Sequence, residues 1–174
     1  MQATEELRND HETLRTKLAL LETLLFFPHG PGAPLQALVC SLSCILACHT
    51  AKEEFLLGIL QERLHGTAME AVRRLLDDHE GHASLLAALQ ELLANETGSP
   101  MGQAGACASQ FIASLREHMT TEEDALFPII DHSLGAQANE DATRLMREIV
   151  RCHGLEDTSP LASDREGAVM AEAG

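Results

Sequence analysis

Two stretches of the chain carry the same group. CHTAKEEFLL at 48–57 and REHMTTEEDALFP at 116–128 both reduce to His-x-x-x-Glu-Glu ahead of an apolar run. Four residues of α-helix turn through about 400°, so His49 shares a face with Glu53, and His118 with Glu122, one turn (~6 Å) along. Both pairs fall on the stripe that carries Ile45, Leu56, Ile112 and Leu115 toward an interior. Inward-facing imidazole with carboxylate is the donor combination that suits iron, manganese or zinc.

Two further histidines join this pattern. NDHETL at 9–14 and DDHEGH at 77–82 are alike; His11 and His79 lie 68 residues apart, and His49 and His118 lie 69 apart. The chain therefore reads as a weak internal repeat of a helix pair. On the third helix His79 keeps register with Leu75, Leu86 and Leu93, while His82 shares the inward side with Leu85, Leu86 and Leu89. His82 stands as an alternative to His79, an additional ligand or an outer donor.

Apolar spacing defines the elements that must position these groups. A first helix runs from Ala3 to Phe27 through Leu7, Leu14, Leu18, Leu21 and Leu25, and is stopped by PHGPGAP. A second runs from Pro34 to about His65 and ends at Gly66. Thr67 with Glu70 fits a capping box that opens a third, which ends near NETGSP. The fourth opens at Ser99 and Pro100, with Ala106 as the latest alternative start, and reaches at least Phe127; a shorter helix follows at about 139–152. The expected architecture is all-α: an up-down-up-down four-helix bundle over 1–135, a short extra helix over 136–152 packed on or near it, and a flexible tail over 153–174.

Counting depth along these helices brings the candidates to one level. At about 1.5 Å per residue, His11 and His49 each lie roughly 23 Å from the first turn, and Glu53 matches His79 across the second. His118 sits at a similar depth from the third turn. Four imidazoles and two carboxylates in an apolar interior would each cost several kcal/mol unless paired or metal-bound. A metal pair removes that cost. Two six-coordinate ions offer about twelve positions; four His, two bridging carboxylates and a bridging oxygen fill roughly ten, leaving about one per metal for a small ligand. Iron is the expected metal, with manganese and zinc as the lesser alternatives.

Composition bounds the rest. Leu and Ala dominate, Tyr and Trp are absent, and Phe occurs five times, which suits packed helices better than a sheet. Twelve Lys and Arg against 27 Asp and Glu give a charge of −15, so neither nucleic acid nor anionic membrane is an expected partner. The start lacks a signal-peptide order, and LALLETLLFF carries Glu22 and is short for a bilayer, so a soluble cytoplasmic protein is expected. Five cysteines without a CxxC pair argue against a disulfide framework; Cys40, Cys44 and Cys48 stack along one helix face and read as small core filler.

The ordered set His11, His49-x-x-x-Glu53, His79 and His118-x-x-x-Glu122, with EEDALFP closing the last motif, resembles the hemerythrin-like HHE cation-binding family over about residues 3 to 132. The resemblance implies a non-haem di-iron centre on these six residues, with Glu53 and Glu122 bridging. Oxygen-carrying members instead have two histidines one turn apart on the third helix and an Asp five residues after the last His. The chain is more similar to members that sense or process iron, dioxygen, nitric oxide or peroxide. A metal and small-ligand binding protein is thus expected rather than a dedicated enzyme, the absence of Tyr removing a tyrosyl radical. The alternative is an iron-sensing or structural module read by a protein partner, although no partner surface is indicated.

Four acidic neighbours complete the reading. Glu54 and Glu123 point about 140° from their motif histidines and read as surface charge. Asp10 and Asp78 could accept from ring N–H groups, but a solvent-facing role is expected. His29, His65, His132 and His153 fall at helix ends or in loops and are expected to be solvated. Pro128 removes a backbone donor one turn after Asp124 and should bend the fourth helix just past the site.

Overall fold

The computed structural model describes residues 2–25, 32–60, 66–94 and 101–152. They are helical throughout: α1 (Ala3–Leu25), α2 (Gly32–Leu60), α3 (Thr67–Ala94), α4 (Met101–Thr121), a π-helical turn (Glu122–Leu126), α5 (Phe127–Ser133) and α6 (Ala136–Cys152). There is no strand among the described residues. The leucine spacing places the helices correctly, and their bounds shift by a few residues. α2 begins at Gly32 rather than Pro34, α3 begins at Thr67 as expected, α4 begins at Met101, and the last helix starts at Ala136 rather than 139. Gly66 precedes α3 at φ 60°, a left-handed conformation that glycine adopts without a Cβ penalty. The expected tail at 153–174 lies outside the described residues, as do His29, His65 and His153; His132 is exposed.

α1 packs on α2, α2 on α3, α3 on α4, and α4 returns to α1. Their apolar stripes meet as two clusters. One gathers Leu14, Leu18, Leu42, Leu89, Phe111 and Leu115; the other gathers Leu7, Leu56, Leu60, Leu75, Phe127 and Met146. Each fully buried leucine contributes about 1.5–3 kcal/mol relative to exposure. Between the clusters lies a polar layer, since His11 falls between Leu7 and Leu14, His49 between Leu46 and Leu56, and His118 between Leu115 and Leu126. α2 is long and apolar enough to cross a bilayer by length and composition, yet it carries buried His49, Lys52 and Glu53 and packs between α1 and α3.

Two features differ from the sequence reading. Helix α4 does not merely bend past the site: its ladder widens at Glu122 itself, where the Phe127 N–H donates to the Glu122 carbonyl five residues back. Pro128, in the first turn of α5, cannot supply an N–H, so the backbone before it rearranges into the wider turn. Cys40 and Cys44 are exposed and only Cys48 is buried, because a strict four-residue spacing drifts around a 3.6-residue helix; the core-filler reading holds for Cys48 alone.

Helix α6 packs on α1 and α2. It is stitched to the start of the chain, where the Ala3 N–H donates to Asn139 Oδ1 at 2.6 Å and Arg147 pairs with Glu6 at 2.7 Å.

Candidate metal centre

All six sequence candidates lie in the polar layer, and none is more than 7% exposed: His11, His49, Glu53, His79, His118 and Glu122. They form two groups of four, His11–His49–Glu53–Glu122 and Glu53–His79–His118–Glu122. Within each group, the ligand atoms lie within 4.8 Å of one another. Glu53 and Glu122 belong to both. α1 and α2 supply the first pair of imidazoles, and α3 and α4 the second.

The Nε2 atoms all face inward. His11 Nε2 is 3.2 Å from Glu122 Oε2 and 3.2 Å from His49 Nε2. His49 Nε2 and His79 Nε2 approach Glu53 Oε2 at 3.4 and 3.1 Å, and His118 Nε2 lies 2.7 Å from Glu122 Oε1. Despite these distances, both oxygens of Glu122 and Glu53 Oε1 are buried without a hydrogen bond, while Glu53 Oε2 faces His79 Nε2. Donors that each sit about 2.1 Å from one cation are about 3.0–3.5 Å apart, so this is the spacing expected of atoms aimed at a shared point rather than at each other. The donor set therefore fits a pair of cations.

The sequence matches the hemerythrin HHE cation binding domain over residues 2–130. The chain belongs to that family. No curated protein and no solved structure matches it. The HHE domain ends before α6, which begins at Ala136.

Around the six residues the structure adds a ring of acids, of which Glu54 and Asp78 are exposed as the sequence predicts, while Asp10 and Glu123 are part-buried rather than solvent-facing. His11 Nδ1 faces Glu123 Oε1 at 2.6 Å, His49 Nδ1 faces Asp10 Oδ2 at 3.4 Å, His118 Nδ1 faces Asp78 Oδ2 at 3.4 Å, and His79 Nδ1 lies 3.9 Å from Glu54 Oε1. A carboxylate at Nδ1 holds the ring proton there and leaves Nε2 free for a cation. The correction for Asp10 and Glu123 has a simple cause: a residue next to the core stripe in sequence is turned about 100° from it, which in a packed helix points at the flank of the neighbouring helix. Two cations strengthen part of the ring: Arg15 holds both oxygens of Glu123 at 2.9 Å, and buried Lys52 holds Asp10 at 2.7 and 3.0 Å. Neither was read from the sequence, although each sits within one turn of a ligand histidine, after His11 and His49 respectively.

His82 is buried but stands outside both groups. Its Nε2 lies 3.0 Å from Ser114 Oγ, its Nδ1 has no hydrogen bond, and its ring packs 4.9 Å from that of His118.

The charges in this layer are strongly coupled. Burial disfavours charge on Glu122, but the imidazoles of His11, His118 and His49 outweigh it and hold the carboxyl well below its usual range. Glu53 goes the other way: burial, helped by the charge of Glu122, pushes it well above the ordinary value despite His49. For His49, burial is overcome by Glu53, Asp10 and Glu122, which raise it to about 10. Burial and the neighbouring charge of His118 lower His79 and His82 to about 4. Burial and the crowding of charge therefore set Glu53 and Glu122 apart, the first favouring its protonated form and the second its charged form, and cation binding competes with protons for this layer.

Proposed function

We propose that the chain is an HHE protein whose four long helices form an up-down-up-down four-helix bundle around a non-haem di-iron centre held by His11, His49, Glu53, His79, His118 and Glu122. One observation carries the reading: two four-residue groups share Glu53 and Glu122, and both oxygens of Glu122 and one of Glu53 are buried without a hydrogen bond. The acid ring supports the bundle topology. The acids precede the ligand on α1 and α3 and follow it on α2 and α4, the alternation that successive antiparallel helices need to reach round one layer in a single direction.

Iron is preferred because imidazole with carboxylate, without thiolate, suits it, and because bundle interiors hold di-iron carboxylate sites of this kind. Bound iron would supply exchangeable positions and redox chemistry for dioxygen, nitric oxide or peroxide. The protein's own part is to fix the Nε2 donors of His11, His49 and His118 through acids at their Nδ1 atoms and to keep two carboxylates desolvated and shared. The apolar clusters on either side exclude bulk water. Anaerobic loading with Fe(II) should give about two irons per chain, and His49→Ala with His118→Ala should lose them. A wild-type chain that takes up none would overturn the reading.

A further inference from the structure

Among the described residues, one groove is lined by a candidate of the centre, His79. It lies between α2 and α3, encloses about 510 Å³, and has buried Leu57, Val72 and His79 at its base, with exposed Glu54 and Glu80 on its rim. His79 is 93% buried by its 7% exposure, and its Nδ1 has no hydrogen bond. The other ligand rings are covered. Phe127 stacks on His11 at 5.4 Å with Arg8 over its ring, the Asp10–Lys52 pair closes over His49, and His82 packs against His118. A larger groove of about 970 Å³ between α1 and α4 runs past Gly105, Ile112 and Arg116 and touches none of the six.

We propose that the α2–α3 groove is the path by which a small uncharged ligand reaches the His79 and His118 side of the centre. The inference rests on the di-iron reading and adds direction and ligand class to it. Apolar Leu57, Val72 and Leu76 favour an uncharged molecule, while Glu54 and Glu80 outnumber Arg73 on the groove and, with the net charge of −15, oppose an anion.

Gly58 gives a clean way to close the path. It lies on the groove in mid-helix, and a Cβ there meets nothing within 4 Å. Replacing a helical glycine removes backbone entropy from the unfolded chain, so added bulk should leave the fold intact. The experiment is stopped-flow nitric oxide association with anaerobically iron-loaded protein, with iron per chain and nitric oxide affinity measured alongside. Gly58→Leu should slow association about tenfold, the effect of ~1.4 kcal/mol added to the barrier, and Gly58→Phe more. Affinity should not change, since a blocked path slows arrival and departure alike. Arg73→Trp narrows the groove from α3 and should act in the same way, whereas Gly105→Leu in the other groove should keep the wild-type rate.

Wild-type rates in iron-loaded Gly58 and Arg73 variants would overturn the path and leave the centre standing. Loss of iron from all three variants would also overturn it, by making the groove wall part of the metal's support. Loaded wild type that does not bind nitric oxide would do the same, and a wild type without iron would sink the di-iron reading and this one together.

Discussion

The two halves of the centre carry the same ligands and are held differently. On the α1–α2 side, Glu123 is gripped by Arg15 and Asp10 by Lys52, and these acids are 27% and 21% exposed. On the α3–α4 side, Asp78 and Glu54 reach their histidines at 3.4 and 3.9 Å from side chains that are 52% and 57% exposed. The internal repeat explains the contrast. Arg15 stands four residues after His11 and Lys52 three after His49; the matching positions in the second copy are Ala83 and Thr121. Duplicated candidates therefore need not give equivalent surroundings: the acids on one side are anchored by cations, and the side without them carries the groove.

The largest effect should come from the carboxylate common to both halves. Glu122→Ala should take iron from about two per chain to near none, because each group loses a donor at once; retention of one iron would mean that the halves are independent. The acid ring sharpens the comparison. Glu123→Gln should weaken iron affinity by about 10–100-fold, and Glu54→Gln by less than about threefold, measured by competition with a chelator. Equal losses would break the asymmetry.

The smallest effect concerns the metal-free protein. His79 and His82 fall to about 4 when folded, so the unfolded chain binds more protons than the folded one between about pH 6.5 and 4. Their contribution is complete above 6.5 and is lost as pH falls toward 4. His49, raised to about 10, contributes fully below 6.5 and loses that contribution as pH rises through 10. Thermal melts of chelator-treated protein should therefore peak near neutral pH and drop by a few degrees on the acid side, the scale of about 1–2 kcal/mol for a chain this size. A His82→Gln variant should flatten the acid limb, which tests the α3–α4 side alone.

Much of this was legible in the sequence because helical periodicity and depth are one-dimensional. His11, His49, Glu53, His79, His118 and Glu122 could be aligned by counting residues from the turns. The acid ring could not be read that way. Asp10 and Glu123 look solvent-facing when each helix is considered alone, and their burial comes from the flank of the neighbouring helix. His79 and His82 share an inward face, and only the positions of Ser114 and His118 separate them. The widening at Glu122 was half legible: Pro128 announces a disturbed ladder, but which residues absorb it depends on packing around Leu126 and Phe127.

Among the described residues, the polar layer also divides the buried apolar side chains into two separate stacks. Each stack is short, and what lies between them is a set of imidazoles and carboxylates whose arrangement suits a cation. A cation bound in this layer would tie the two stacks together, so that stability and cooperativity of unfolding should rise with metal.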